Sequence, residues 1–307
     1  MTGDPDRGER AVARVAVVGD LVTDVVAVLA GPPAPDTDTA AAIRFTGGGQ
    51  GANTAAWLAW HGVPVTLLAT VGADAAGADR LAELRAAGVD CPLPPRADAP
   101  TGTVIVLAEG GRRTMVTDRG ASLLLDPAEV ALALAAAGAG HLHLSGYPLL
   151  DDRSREAGLR ALATARTLGL TVSVDAASAA PLRQVGGAAF RSWVRGVDLL
   201  LANADEAEVL TGDAGGDPAD QARALAAELG AVVVVKLGGA GAVWADPDGT
   251  VATATAAAVA AVDPTGAGDA FAAGLLAARL AGGDAAYCLA AASAAGARAV
   301  AVVGARP

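Results

Sequence analysis

Short apolar, often β-branched runs alternate along the chain with longer stretches rich in Ala and Leu. The runs are Val15–Val18, Val65–Ala69, His141–Ser145, Thr171–Asp175, Val197–Leu201 and Val232–Leu237. Nearly continuous apolar character marks a strand covered on both sides, so each run predicts a strand of a parallel sheet. Between them, Ala52–His61, Gly77–Ala87, Pro127–Ala137, Arg153–Leu168 and Pro218–Leu229 predict helices. Together they predict an α/β fold, a doubly wound and mostly parallel central sheet flanked by helices. Two stretches break the rhythm. Gly31–Phe45 is a Pro- and Thr-rich excursion in which Ile43-Arg-Phe45 makes only a poor strand. Thr103–Leu107 and Thr114–Thr117 predict a hairpin about Gly110-Gly111, a small flap at the sheet's edge. A second hairpin is expected from Gly241–Ala245 and Val251–Ala254, then helices at Gly266–Leu280 and Ala285–Ala299. The chain reads as one domain over residues 1–307 with a small β-strand lid, formed by insertions at about 25–46 and 101–121. The acidic residues 1–10 are expected to be a disordered tail.

Aromatic residues make up only 3% of the chain, so the core must be built from Ala, Val and Leu. With 22 basic residues against 33 acidic ones and no Lys/Arg run, the chain argues against nucleic acid or an anionic membrane as its main partner. No uncharged apolar stretch approaches the ~18 residues of a membrane span. The opening Met1-Thr-Gly-Asp-Pro lacks the basic-then-apolar order of a signal peptide. Cys91 and Cys288 are too few for a disulfide framework, and the expectation is a cytoplasmic protein with inert thiols. Lys236 is the only lysine. Without Gly-Lys-Ser/Thr there is no P-loop. No His-Arg-Asp or Asp-Phe-Gly follows Val232–Lys236, which excludes a protein kinase.

Asp263-Pro-Thr-Gly-Ala-Gly-Asp269 leads from an extended run into an apolar helix. Glycines at a helix N-terminus turn backbone N–H groups toward one point, where an anion such as phosphate can sit. A carboxylate there, Asp269, is either a helix cap or the base that takes a proton from an attacking hydroxyl. Thr46-Gly-Gly-Gly-Gln-Gly-Ala-Asn-Thr54 opens another helix. Gly47, Gly49 and Ala52, with Asp74 downstream, match a dinucleotide fingerprint in letters, but they do not follow the first strand as that fingerprint must. The glycines instead predict close approach to a small polar ligand, with Gln50 and Asn53 as hydrogen-bonding side chains. His141 and His143 share one strand face with no further metal ligand in spacing and read as structural. Ser145-Gly146 lacks the flanking glycine of a nucleophile elbow. Arg112, Arg113 and Arg119 on the flap read as a solvated face, with Arg119 also within reach of an anionic substrate. Trp57 and Trp60 read as core.

Three motifs in order resemble the ribokinase-like (PfkB-type) family of sugar and nucleoside kinases, a resemblance running from Val15 to Gly304. They are Gly48-Gly-Gln-Gly-Ala-Asn53 through Val71-Gly72, then Asn203-Ala-Asp-Glu206 behind a strand, then Asp263–Phe271. The resemblance implies an ATP-dependent kinase acting on a primary hydroxyl of a small sugar or sugar-like alcohol. The alternatives are a nucleoside kinase of the same fold and a non-catalytic sensor. It implies Asp269 as the base and the N–H groups of Gly266, Ala267, Gly268 and Asp269 as an anion hole. Asn203 and Glu206 would position Mg²⁺ and the phosphates, Glu206 through water. Lys236, Gly238, Gly241 and Thr265 would lie beside the nucleotide. Asp24, Gly48, Gly49, Gln50 and Asn53 would meet the substrate, and Tyr147 follows a strand whose end points to the same side. Asp263 would belong to a K⁺ site, and the lid would pair two subunits into a homodimer. Members that phosphorylate ribose carry Asn and Lys where this chain has Val22 and Gln50. They also continue past the residues matching Gly304–Pro307, so a last element, and part of any cation site there, is expected to be missing from this chain.

Overall fold

Successive side chains of a strand point to opposite sides, and in this chain both sides are buried. Val15, Val17, Leu199, Leu201 and Val234 pack into one apolar layer, whereas Ala16, Val18, Leu200, Ala202 and Val235 pack into another. That two-sided burial fixes a sheet sandwiched between helices. The computed structural model describes residues 13–109 and 112–307. The expected tail at 1–10, the Gly110-Gly111 turn and the side chains of Arg112 and Arg113 lie outside what it describes.

The strands are β1 (Val15–Val18), β2 (Val22–Leu29), β3 (Ala41–Gly48), β4 (Val65–Leu68), β5 (Val89–Asp90), β6 (Thr101–Glu109) and β7 (Arg112–Gly120). They continue as β8 (His141–Ser145), β9 (Thr171–Asp175), β10 (Leu199–Asn203), β11 (Val232–Lys236), β12 (Ala242–Ala245) and β13 (Val251–Ala254). Nine form the central sheet, ordered β13-β12-β11-β10-β9-β8-β1-β4-β5. All neighbours run parallel except the β11-β12-β13 edge. One side is covered by α1 (Gln50–Trp60), α2 (Ala75–Ala86), and two long helices from the last third of the chain, Ala267–Leu280 and Ala285–Val300. Helices from the middle of the chain, Pro127–Ala136 to Pro218–Leu229, cover the other side. Among the described residues no helix is long and apolar enough to cross a membrane.

The remaining strands form a second sheet, ordered β3-β2-β6-β7. One of its faces, with Asp24, Val104 and Thr117 in register, looks onto the carboxyl ends of the central strands. On the opposite face Phe45, Val25, Ile105 and Val116 form one cross-strand row, with Phe45 71% and Val116 56% exposed. Ile43-Arg-Phe45, expected as a poor strand after a loop within the lid insertion at about 25–46, belongs to the full strand β3, and β2 is not predicted from the sequence. The reason is physical: β3 is an edge strand with one open face, so its Ala41-Ala-Ile-Arg-Phe-Thr run carries too little buried apolar surface to stand out. Two helices within 179–193 also escaped, being only 7 residues each. The strand expected at Val197–Leu201 is shifted to Leu199–Asn203. Trp57 is buried, but Trp60 is 47% exposed, its ring covered by Arg298 at 4.7 Å. Three positions along a helix advance by roughly 300°, so Trp60 falls at the rim of the packed face.

Candidate active site

Ligands of doubly wound sheets bind beyond the carboxyl ends of the strands. Here those ends carry Ser145 on β8, Asp175 on β9, Asn203 on β10 and Lys236 on β11, while Asp20 follows β1. Lys236 Nζ donates to Asp175 Oδ2 at 2.5 Å. Gln50 Nε2 donates to Asp175 Oδ1 at 3.0 Å, and Ser145 Oγ donates to Gln50 Oε1 at 2.5 Å. Gln50 is thus bound into the floor of the site. Asn203 and Glu206 form a reciprocal capping box at the next helix, Ala204–Thr211. Glu206 Oε2 accepts from the Asn203 backbone N–H at 2.8 Å, and Oε1 from Asn203 Nδ2 at 2.7 Å. Burial, then the charge of Asp175, pushes the Glu206 carboxyl up to about 7, against the pull of Lys236. Burial would lower the Lys236 ammonium, but Asp175 and Glu206 outweigh it and hold the group above its ordinary value.

Asp263–Asp269 crosses above this floor. Gly266 has φ +73° and caps the helix Ala267–Leu280 with no side-chain bond, while Ala305 Cα fills the place a Cβ would need, 2.7 Å from it. Only glycine suits that turn. Asp269 is the third residue of the helix, so the N-cap reading of its carboxylate is corrected. Its Oδ2 instead accepts from Asn53 Nδ2 at 2.9 Å, across from α1. Burial raises Asp269 to about 8; the Asn53 bond and Lys236 oppose this, while Asp175 and Asp20 add to it. Asp263 Oδ1 accepts from the Thr265 backbone N–H at 2.9 Å and from its hydroxyl at 2.5 Å. Asp263 Oδ2 accepts from the Gly304 N–H at 3.1 Å.

The loop separates two cavities, and Pro264 lines both. One, of about 330 Å³, is mostly apolar, with Val259, Phe271 and Val300 among its walls and Lys236, Gly238, Gly241 and Gly268 at its polar end. The other, of about 510 Å³, lies under the small sheet and carries Asp20, Asp24, Gly49, Gln50, Asn53, Tyr147 and Asp269. Thr265 and Gly266 line this second cleft, and Ala267 the first. Gly48 has the Asp24 carboxylate packed directly over it. Gly49 (φ +100°) lets α1 start against Asp20, whose carbonyl oxygen would lie 2.5 Å from a Cβ. Burial, then Asp20, raises Asp24 to about 6. Asn203 and Glu206 line neither cavity and stand behind Lys236.

Several residues of this site were not singled out from sequence. Asp20 and Asp175 could have been, since a carboxylate at the end of a buried strand is itself a signal. Arg119, read as solvated, instead pairs with Asp20 at 3.0 Å and stacks 3.4 Å from the Tyr147 ring centroid, so that expectation is corrected. Arg306 reaches Asn53 and Gly48 and had no local signature. His141 and His143 are buried and bonded to Thr171 and Ser173; burial lowers them to about 3 and about 4, so both are neutral. Asp74 caps α2 and bonds Thr101, which accounts for it without a nucleotide.

Comparison with known proteins extends this geometry. The pfkB family carbohydrate kinase pattern matches residues 12–307. Mouse (Mus musculus) ribokinase is 31% identical over 88% of this chain and 83% of its own length. An ATP-dependent ribose-1-phosphate kinase of Halopiger xanaduensis is 32% identical over 89% of this chain and 87% of its own. A Ribokinase II candidate from E. coli, solved in complex with ATP and Mg²⁺, superposes with a TM-score of 0.84 at 25% identity, covering 95% of this chain and 94% of that one. The chain belongs to the pfkB family of carbohydrate kinases, sugar or nucleoside phosphotransferases with an alcohol group as acceptor.

Proposed function

We propose that the protein transfers the γ-phosphoryl group of ATP to a primary hydroxyl of a small sugar or sugar-like alcohol, with Asp269 as general base. The observation that carries this reading is the position of Asp269, in the acidic cleft and one residue from Gly268, which lines the apolar cavity. A group with that placement meets an acceptor from one side and a phosphate from the other. The residues suit a nucleotide. The walls of the 330 Å³ cavity are apolar enough for a base, and the helix N-terminus at Gly266–Asp269 directs N–H groups toward its polar end. Bound ATP with Mg²⁺ supplies the phosphoryl group and offsets its charge. Asp269 Oδ1 or Oδ2 takes the acceptor's proton, and Asn53 holds the carboxylate in place. In this reading the backbone N–H groups of Gly266, Gly268 and Asp269 face the charge that develops on the phosphoryl oxygens, while the Ala267 N–H, expected with them, donates to Pro264 O at 3.4 Å. Lys236, Gly238, Gly241 and Thr265 flank the phosphates. Glu206, with both oxygens already held by Asn203, would meet Mg²⁺ through water.

Asp24, Gly48, Gly49, Gln50, Asn53 and Tyr147 bind the acceptor in this reading, and the small sheet is the lid above it. A nucleoside acceptor is the second reading, favoured by the apolar wall that Val22, Val104 and Met115 present to the cleft. The exposed Phe45–Ile105–Val116 row supports a homodimer through the lid, since an uncovered apolar sheet face favours pairing. A K⁺ ion beside Asp263 is supported by that carboxylate's place next to the anion loop. Coupled ADP release with ATP–Mg²⁺ and a panel of sugars and nucleosides tests the function. Turnover is expected with at least one neutral polyol, and absence of turnover across both classes overturns it.

A further inference from the structure

Residues Gly304–Arg306 run between the anion loop and α1. Gly304 N–H donates to Asp263 Oδ2 at 3.1 Å, and Ala305 O accepts from Trp57 Nε1 at 3.0 Å. Arg306 then turns inward with its side chain 14% exposed. Its Nε donates to Asn53 Oδ1 at 3.1 Å and its Nη2 to Gly48 O at 2.9 Å, and Nη1 lies 3.5 Å from Glu83 Oε2. Asn53 is 5% exposed and donates through Nδ2 to Asp269 Oδ2. A side-chain amide has one accepting end and one donating end. Only one of its two orientations satisfies a cation on one side and a carboxylate on the other.

We infer that Arg306 is a positioning residue of the phosphoryl transfer, fixing the Asn53 amide so that its N–H₂ end, and not its oxygen, meets Asp269. The inference rests on the reading of Asp269 as base. Three segments widely separated in sequence thereby act as one unit, Arg306–Asn53–Asp269, running from the chain's last turn through α1 to the anion loop. With Arg306 removed, the amide can rotate half a turn and bring Oδ1 against Asp269. Two oxygens in that contact repel unless Asp269 holds a proton between them, so the ionised, proton-accepting form is disfavoured. The guanidinium suits the task because its fork serves Asn53 and Gly48 at once, which a single ammonium point charge does less well.

The test measures kcat, KM for both substrates, the pH dependence of kcat/KM and melting temperature for Arg306→Leu, Arg306→Lys, Asn53→Ala, Asn53→Ala/Arg306→Leu and Asp269→Asn. Arg306→Leu should lower kcat by about tenfold or more with little change in KM for ATP. The acid limb of its kcat/KM profile should move up by about one pH unit. Arg306→Lys should recover part of both. In the Asn53→Ala background, Arg306→Leu should change kcat by less than about twofold, because the residue through which it acts is gone. An unmoved pH limb in folded Arg306→Leu, or losses that multiply in the double variant, overturns the inference. Should Arg306→Leu fail to fold, Arg306→Met with its pH profile decides. Asp269→Asn separates the two levels: if it stays active, the base reading fails; if it is inactive while the Arg306 variants match the parent, only the role of Arg306 fails.

Discussion

Replacing Asp269 by Asn keeps the size of the side chain and an oxygen to accept the Asn53 bond, and removes the ability to take a proton. The unperturbed geometry makes this a clean perturbation: Gly266, not Asp269, caps the helix, so no cap is lost. General-base catalysis contributes about 10²–10⁴-fold, and kcat should fall by that order. The parent's own pH profile supplies a second check. Burial holds Asp269 near 8, so at pH 7 about one molecule in ten of the free protein has it ionised. The parent's kcat/KM should therefore rise with pH and level off above about 8, and the variant's residual rate should not follow that curve. Stability must move the opposite way. The folded value lies above the ordinary 3.8, so the folded protein holds the proton more tightly than the unfolded chain. That stabilisation is complete below the unfolded value and is lost as pH rises through the folded one. Asn carries no charge, so its melting temperature should match the parent's near pH 4 and exceed it increasingly up to a plateau above pH 8. The gain should be a few kcal/mol, below the ~5–6 kcal/mol that the full shift from 3.8 to about 8 would give. Coupled ADP release and thermal melts across pH measure both. Turnover within about threefold of the parent on its best substrate would refute the base assignment.

Lys236→Met should destabilise by about 3–5 kcal/mol in urea unfolding, because Asp175 and Glu206 are left buried without their cation; a loss below about 1 kcal/mol would show the ammonium is dispensable to the fold. Phe45→Asp with Ile105→Asp should convert a dimer of about twice the 29.8 kDa chain mass into a monomer by light scattering; a parent already monomeric and fully active removes the dimer. Activity should be higher in K⁺ than in Na⁺ or a large organic cation, and equal rates in all three remove the cation site at Asp263.

The central sheet was legible because its signal is local and strong. A strand buried on both faces reads as an unbroken apolar run, and Val232–Lys236 or Val15–Val18 can hardly be anything else beside helical stretches. The small sheet was legible only where it forms a hairpin. β6 and β7 adjoin in sequence and announce themselves, whereas β2 and β3 are split by an 11-residue Pro-rich loop and keep one face open. An open face needs no apolar residues, so Ile43-Arg-Phe45 carries half a strand's pattern. Trp60 illustrates the same limit on a helix. Its spacing from Trp57 is that of a packed face, but which edge of that face meets solvent depends on neighbours that the sequence does not order.

The site divides along the same line. Its backbone parts are contiguous motifs: the two glycine-bearing helix starts are visible because a tight turn must be written in adjacent residues, whereas Asn203 and Glu206 stand out only through the family resemblance, and their capping box emerges from the structure. Its side-chain network is not contiguous. The bond from Asn53 to Asp269 spans 216 positions, that from Arg306 to Asn53 spans 253, and the Arg119–Asp20 pair spans 99. Nothing in a local window distinguishes an arginine that will be folded onto such a partner from one that will be solvated. Charge balance offers a partial guide after the fact. Asp20, Asp24, Asp175, Glu206 and Asp269 converge on the strand ends, and a buried acidic cluster of that density is tenable only if cations or protons offset it. Lys236, Arg119 and Arg306 supply the cations, and burial raises Asp24, Glu206 and Asp269 toward their protonated forms, Asp269 the furthest. The chain's single lysine and two of its arginines thus sit among these carboxylates, while the other basic residues lie elsewhere in the sequence.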